Sequence, residues 1–282
     1  MKKFIHSLAW VRRDRYALFA SLILFLFALA AIFGRLIAPY PREGAGDANV
    51  SHTMMGPSLK HLFGTDELGR DLLSRIIFGA RSVLVTSLFV VIIAAVVGSA
   101  LGLFAGFYGG KIDSVIMRFC ELFLSFPPLL LSLVAVALLG PGSKNTLIAL
   151  VIAWWPWYTR LIRYEVQIVK HRPFVEIAGA MGMNPRRIIL FHLLPNVMSP
   201  LIVQFAADLG TVILAAGSLA FIGLGAQPPA ADWGLLVAQG RTVIFDQWWI
   251  STFAGLAIFL VVLAFNLLGD QLRDHLDPRR TR

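Results

Sequence analysis

Six stretches of this chain stay apolar for the length of a bilayer crossing, which leaves it few ways to fold. A helix rises about 1.5 Å per residue and the hydrocarbon core is about 30 Å thick, so about 20 apolar residues make one span. The stretches extend roughly from Ala17 to Ala38, Ser82 to Tyr108, Val115 to Leu139, Thr146 to Ile162, Leu194 to Leu224 and Trp248 to Leu268. In lipid every backbone N–H and C=O must find a partner within the protein, and a continuous apolar run achieves this as a helix. The expected fold class is all-α and integral to the membrane, with six transmembrane helices. The fifth stretch is long enough to tilt or break. The first follows the basic segment MKKFIHSLAWVRRDRY, as a secretory leader would. Its apolar run exceeds a leader's core and five more follow, so it reads as a retained anchor.

Charge gives the orientation. A net charge of +9 would suit a nucleic-acid partner if the basic residues formed one patch, but they fall into separate segments. Lys2, Lys3, Arg12, Arg13 and Arg15 precede the first span; Arg160, Arg163, Lys170, Arg172, Arg186 and Arg187 lie between the fourth and fifth; Arg273, Arg279, Arg280 and Arg282 end the chain. With an even number of spans these segments share one face, which the Lys and Arg excess assigns to the cytoplasm. Both termini are expected inside, membrane lipid is the surrounding partner, and no nucleic acid is implied. The chain divides into a cytoplasmic segment 1–16, a first span 17–38, an external loop 39–81, a core 82–271 with five spans and a cytoplasmic loop at 173–195, and a cytoplasmic tail 272–282.

The external loop mixes Arg42, Lys60, Arg70 and Arg75 with Glu43, Asp47, Asp66, Glu67 and Asp71, a near balance that suits the outer face. Its end, LLSRIIFGARSVLV, reads either as a separate amphipathic helix or as an extension of the second span. On the same face Pro228, Pro229, Asp232, Trp233 and Gly234 make a stiff loop with one large aromatic. That loop suits contact with a solute-binding protein, or a plain turn held by an interfacial tryptophan.

The cytoplasmic segment EIAGAMGMNPRRIILFHLLP, residues 176 to 195, breaks the apolar pattern with charge, glycine and proline. Pro173 fits the first position of a short helix, where its missing N–H costs nothing, and Glu176 then sits near the positive end of the dipole. Gly182 can take the left-handed conformation that ends this helix, and Asn184-Pro185 supplies the cap and first residue of another. The expected unit is a helix-turn-helix whose small residues Ala178, Gly179 and Ala180 admit another protein's surface. An amphipathic helix lying on the headgroups, with Arg186 and Arg187 among the phosphates, is the competing reading.

Glu176-Ile177-Ala178, Gly182 and Leu194-Pro195 resemble the EAA loop of ABC importer permeases, with Ile177 in place of the motif's first alanine. His192 followed by LLPN is similar to the dipeptide, oligopeptide and nickel branch of that family. FGTDELGRDLLSRIIFGARS at 63–82, FIGLGAQPPAADWG at 221–234 and NLLGDQLRDHLDPR at 266–279 resemble the same branch, in the same order.

The resemblance implies a type I importer transmembrane domain whose EAA helix seats in a groove of an ATPase subunit and transmits closure to the membrane helices. Glu176, Ile177, Ala178, Gly182, Leu194 and Pro195 would carry that coupling. It implies as partners a second homologous permease, two ATP-binding subunits and a periplasmic or lipid-anchored solute-binding protein. The chain has no G-x-x-x-x-G-K-[ST] sequence, and GPGSKNT at 140–146 does not fit the spacing. ATP and magnesium would therefore sit on partner subunits, with no cofactor, catalytic residue or metal site on this chain.

Polar groups inside lipid are costly and face protein or water. Gln204 and Asp208 share one face of the fifth span, and either line a route or bond between helices. Arg118 and Glu121 can pair on the third span, where Ser125-Phe126-Pro127-Pro128 should produce a kink beside a cavity. Glu121 and Pro127 join Gln204 and Asp208 as pathway candidates. Trp154-Trp155-Pro156-Trp157-Tyr158 is expected to break the fourth span near the inner interface, and Gly98, Gly102, Gly106 and Gly109 to admit a close helix, including one from the partner permease.

Peptide cargo is the favoured reading, with nickel or a metal chelate as the alternative within the same architecture. Cys120 lies alone in an apolar run, and the histidines form no zinc-enzyme motif, so a membrane enzyme has no constellation to work with. A channel or ion-driven carrier would not need a cytoplasmic docking helix.

Overall fold

Several helices begin where a polar side chain or a proline meets the orphan N–H groups of a first turn. In this computed structural model, which describes residues 14–276, Asp14 caps α1 (Arg15–Ile37), and Pro41 opens the short α2 (Pro41–Ala45). Asp71 caps α3 (Leu72–Tyr108) by accepting from the Ser74 N–H at 2.8 Å. Gly109, at φ +65°, ends α3 and starts α4 (Gly110–Leu124). Next come α5 (Pro128–Leu139), α6 (Ser143–Lys170), α7 (Pro173–Ala180) and α8 (Pro185–Ile188). A π-helical turn, Ile189–Leu193, leads into α9 (Leu194–Phe221), followed by α10 (Trp233–Gly240) and α11 (Trp248–Leu276). Lys2, Lys3, Arg12, Arg13, Arg279, Arg280 and Arg282, which carry much of the expected orientation, lie outside the described residues.

By length and composition four helical runs among the described residues can cross a membrane: α1, α3, the continuous run Pro185–Phe221, and α11. The pair α4–α5, bent by 85°, makes a fifth if it is one broken span. This count is lower than the expected six. The difference lies in α6, where Trp154 to Arg160 dilutes the aliphatic run with Trp, Pro, Tyr, Thr and Arg.

The third stretch breaks where its prolines require. Pro127 and Pro128 lack the N–H groups a continuing helix would use, and the chain turns there. Pro156 does not break α6, contrary to expectation; it is buried within an uninterrupted helix. The difference is tertiary, because α6 is clamped along its length by α3. A methyl group built on Gly102 would lie 2.6 Å from the Thr159 carbonyl oxygen, and one on Gly106 would lie 2.7 Å from Val166 Cγ1. The glycine face of α3 therefore serves this intrachain contact and not a partner permease. Gly109 has nothing near it.

Three apolar clusters draw on α3. Val90, Val91, Ala94, Leu150, Tyr158, Val212 and Leu219 join α3, α6 and α9. Leu72, Ile76, Trp233, Leu236, Ile250 and Val261 join the start of α3 to α10 and α11. Leu103, Ile162, Val166, Val175, Ile188 and Leu193 bind the opposite end of α3 and α6 to the α7–α9 segment. Helix α1 packs on α3 and α11 and leaves Leu18, Phe19, Leu22, Phe25 and Leu26 exposed, as a lipid-facing helix does.

The loop before α3 is folded. Asp71 accepts from Ser74 and pairs with His61 Nδ1 at 2.9 Å, while Glu43 accepts the Asp71 N–H at 2.8 Å. LLSRIIFGARSVLV belongs to α3 itself, so of the two readings the extension is correct.

Candidate coupling loop and translocation route

The loop from Pro173 to Pro195 is built as its punctuation specifies. Pro173 stands in the first turn of α7, and Glu176 is exposed there beside His171, 3.8 Å away. Gly182 adopts φ +75°. Its turn closes by hydrogen bonds from Gly182 N–H to the Gly179 oxygen at 3.0 Å and from Met183 N–H to the Ala178 oxygen at 3.1 Å. Asn184 then accepts from the Arg186 N–H at 2.9 Å and opens α8. His192 Nε2 lies 3.2 Å from Met183 Sδ, tying the second helix back to the turn.

One side of this unit is anchored and the other is free. Val175, Ile188 and Leu193 are buried against α3 and α6, and Ala178 is buried as well. Ala178 thus faces its own protein, and does not present the small surface expected of it; Gly179 and Ala180 do remain exposed. Phe174, Ile177 and Met181 recur at helical spacing on the free side, with Ile177 58% and Met181 80% exposed. Leu194 is half-buried and Pro195 exposed at the start of α9. A rigid root with an exposed apolar stripe is the form of a docking element.

The pathway candidates fall in two places. Gln204 Nε2 donates to Asp208 Oδ1 at 3.0 Å within α9; Asp208 is buried and among the described residues its Oδ2 has no hydrogen-bond partner. Glu121 and Pro127 are exposed on α4 and at its break. Arg118 and Glu121 do not form the expected pair. The α4 arm is held instead by Asp113, whose carboxylate receives Arg163 Nε and Arg163 Nη2, the latter at 2.6 Å. Lys170 Nζ also donates to the Phe107 oxygen at 2.6 Å. Sequence reading missed this clasp because Asp113 and Arg163 are distant in the chain and no local pattern joins them.

On the loop before α10 Pro228 and Pro229 are exposed. Asp232 caps α10, accepting from the Gly234 and Leu235 N–H groups at 3.0 and 3.3 Å, and burial pushes its carboxyl up from the ordinary range. Trp233 is fully buried and donates through Nε1 to the Ile76 oxygen at 2.9 Å. It is an internal anchor, so it corrects the expectation of an exposed contact. Arg75, also missed, is buried and donates to the Pro229 and Ala230 oxygens at 2.8 and 2.7 Å, holding this loop to α3.

Comparison with known proteins places this architecture. Residues 98–282 match the family described as the binding-protein-dependent transport system inner membrane component, and residues 8–57 match the N-terminal transmembrane domain of oligopeptide transport permease C. The chain is 42% identical to a dipeptide transport system permease protein of Alkalihalophilus pseudofirmus, over 95% of this chain and 88% of that protein. It is 44% identical to a glutathione transport system permease protein of Escherichia coli, over the same shares. It is 41% identical to a probable D,D-dipeptide transport system permease protein of Escherichia coli K12, over 92% of this chain and 86% of that one. In fold it is similar to the inward-facing methionine ABC transporter, with a TM-score of 0.59 at 18% identity, covering 73% of this chain and 98% of that one. With its core and first span both matched, the chain belongs to the binding-protein-dependent inner membrane components, the multi-pass, non-catalytic permease subunits of ABC importers.

Proposed function

We propose that this chain forms, with a second homologous permease, the route by which short peptides or peptide-like solutes enter the cell. The cargo reading rests on the relatives, whose names specify dipeptides, D,D-dipeptides and glutathione. In this reading the bent α4–α5 pair and α6 both count as spans, giving six with both termini in the cytoplasm, and the core 82–271 is the type I domain. The glycine-clamped contact with α3 supports counting α6, since it shields one side of a helix too polar for lipid.

The observation that carries the mechanism is the rooted turn of Pro173 to Pro195, with Gly182 at φ +75° and the stripe Phe174, Ile177 and Met181 exposed. The stripe seats in an ATP-binding subunit, Glu176 supplies its polar contact, and two such subunits hold ATP and magnesium. Closure of the ATPases moves the turn. The buried root passes that motion to α3, α6 and α9, where Gln204, Asp208, Glu121 and Pro127 line or shape the route. Pro228 and Pro229 face the solute-binding protein, with Asp232 fixing the loop behind them.

The test is reconstitution with both permeases, the ATPases and the binding protein, together with a cysteine at position 177 for cross-linking. ATP-dependent peptide uptake and a cross-link from position 177 to an ATPase subunit are expected. Uptake by this chain alone without nucleotide, or labelling of position 177 by a reagent confined to the external solution, would overturn the reading.

A further inference from the structure

Helix α6 turns toward the outside a face that does not suit lipid. One flank is pressed onto α3, while the opposite flank exposes Trp157, Arg160 and Tyr164, three and four residues apart and so on one face. Between this flank and α9 lies a cleft of about 340 Å³ lined by Trp157, Arg160, Leu161, Arg163, Tyr164 and Gln204.

Its charges are unbalanced. Arg163 is engaged by Asp113. The Arg160 guanidinium lies over the Trp157 ring, its Cζ 5.4 Å from the centroid, and among the described residues no carboxylate pairs with it. Gln204 donates to Asp208, which fixes its amide and leaves Oε1 as the acceptor it can offer a ligand. The Trp157 ring backs the guanidinium, and that planar fork matches a carboxylate in two-point contact.

A fixed cation, an amide acceptor and two aromatic walls suit a carboxylate with an N–H group beside it. We propose that this cleft is a subsite of the route that receives the C-terminal residue of a peptide, its carboxylate on Arg160 and its backbone N–H on Gln204. Trp157 and Tyr164 cover the terminal side chain by apolar contact without selecting among side chains, so selection is for the free carboxylate. The assignment rests on the peptide-importer reading and adds to it the group by which the permease holds its cargo.

The experiment uses the assembled transporter without its binding protein, in nanodiscs. It is exposed to the dipeptide alanyl-benzoylphenylalanine or to its C-terminal amide, and photolabelled residues are mapped by mass spectrometry. The acid is expected to label α6 or α9 around this cleft about tenfold more than the amide, the scale of a charge-assisted hydrogen bond. Arg160→Gln should abolish that preference and Arg160→Lys should restore part of it. Equal labelling by acid and amide in the wild type, or an unchanged preference in Arg160→Gln, overturns the proposal. So does acid labelling that appears only in neutral-lipid discs and vanishes in anionic ones, which assigns Arg160 to headgroups. If Arg160→Gln does not assemble, Gln204→Leu should reduce labelling by the acid at least threefold but not by its analogue N-methylated at the peptide bond; equal effects on both would count against the site. Peptide uptake by the complete wild-type system is measured in parallel, so that failure of the importer reading is separable from failure of this subsite.

Discussion

Arg75 spans 154 positions of sequence to place its Nη1 2.8 Å from the carbonyl oxygen of Pro229. Its Nη2 reaches Ala230 at 2.7 Å, and the whole side chain is buried. One arginine, itself buried, thus serves two backbone acceptors of a loop that is otherwise partly open to solvent. Arg75→Leu strands both carbonyls and should destabilise the fold by about 2 to 4 kcal/mol. Arg75→Lys, without the fork, should recover only part. Thermal unfolding in detergent compares the three forms, and a leucine variant as stable as wild type would refute the clasp.

Gly182 at φ +75° has nothing within 4 Å of a built methyl group, so a larger residue meets backbone strain and no clash. Gly182→Val should therefore cost about 1 to 2 kcal/mol at the turn alone. Membrane insertion is expected to be normal, with peptide moved per ATP hydrolysed reduced roughly tenfold. Simultaneous uptake and ATPase measurements report that ratio; an unchanged ratio would leave the turn without a role in coupling.

The α3–α6 contact should be the least tolerant surface of the molecule. Gly102→Leu drives a side chain into the Thr159 carbonyl, the Arg163 N–H and Ile162. Overpacking of this kind costs about 1 to 3 kcal/mol and more where backbone cannot retreat. Folded yield should collapse for Gly102→Leu and fall much less for Gly109→Ala, where space is open and the cost is the backbone strain of a side chain at φ +65°.

Asp232 supplies a pH effect with a definite sign. Burial raises its carboxyl, so the protonated form is favoured in the fold, and the stability this contributes is present below the unfolded carboxyl's range and lost as pH rises through the folded value. Asp232→Asn keeps an oxygen to accept from Gly234 and Leu235 and removes the charge. Its melting temperature should equal or exceed wild type at neutral pH and vary less between about pH 4 and 8. Asp232→Ala, which loses the cap, should fall by about 1 kcal/mol. An asparagine variant as unstable as the alanine one would show that the charge itself is needed.

What sequence could announce was punctuation. Pro173, Gly182 and Asn184-Pro185 act on the backbone within a turn or two, so the helix-turn-helix was legible, as was the break at Pro127-Pro128. What it could not announce was decided between helices. Pro156 looks like Pro127 in sequence, yet α3 holds its helix straight. Trp233 looks like an interfacial anchor until the start of α3 closes over it. The glycines of α3 announced a close neighbour without saying that it was α6, and Asp113 and Arg163 meet only because the α4 arm folds back.

The run from Pro185 to Phe221 is helical through 37 residues, with a π-helical turn near its start, so it is about 55 Å long. Its near end is part of the rooted turn and its far end runs into the loop before α10. A swing of only about 10° at the near end carries the far tip through about 10 Å, by the length of the rod alone. Small displacements at one end would thereby be geared up at the other.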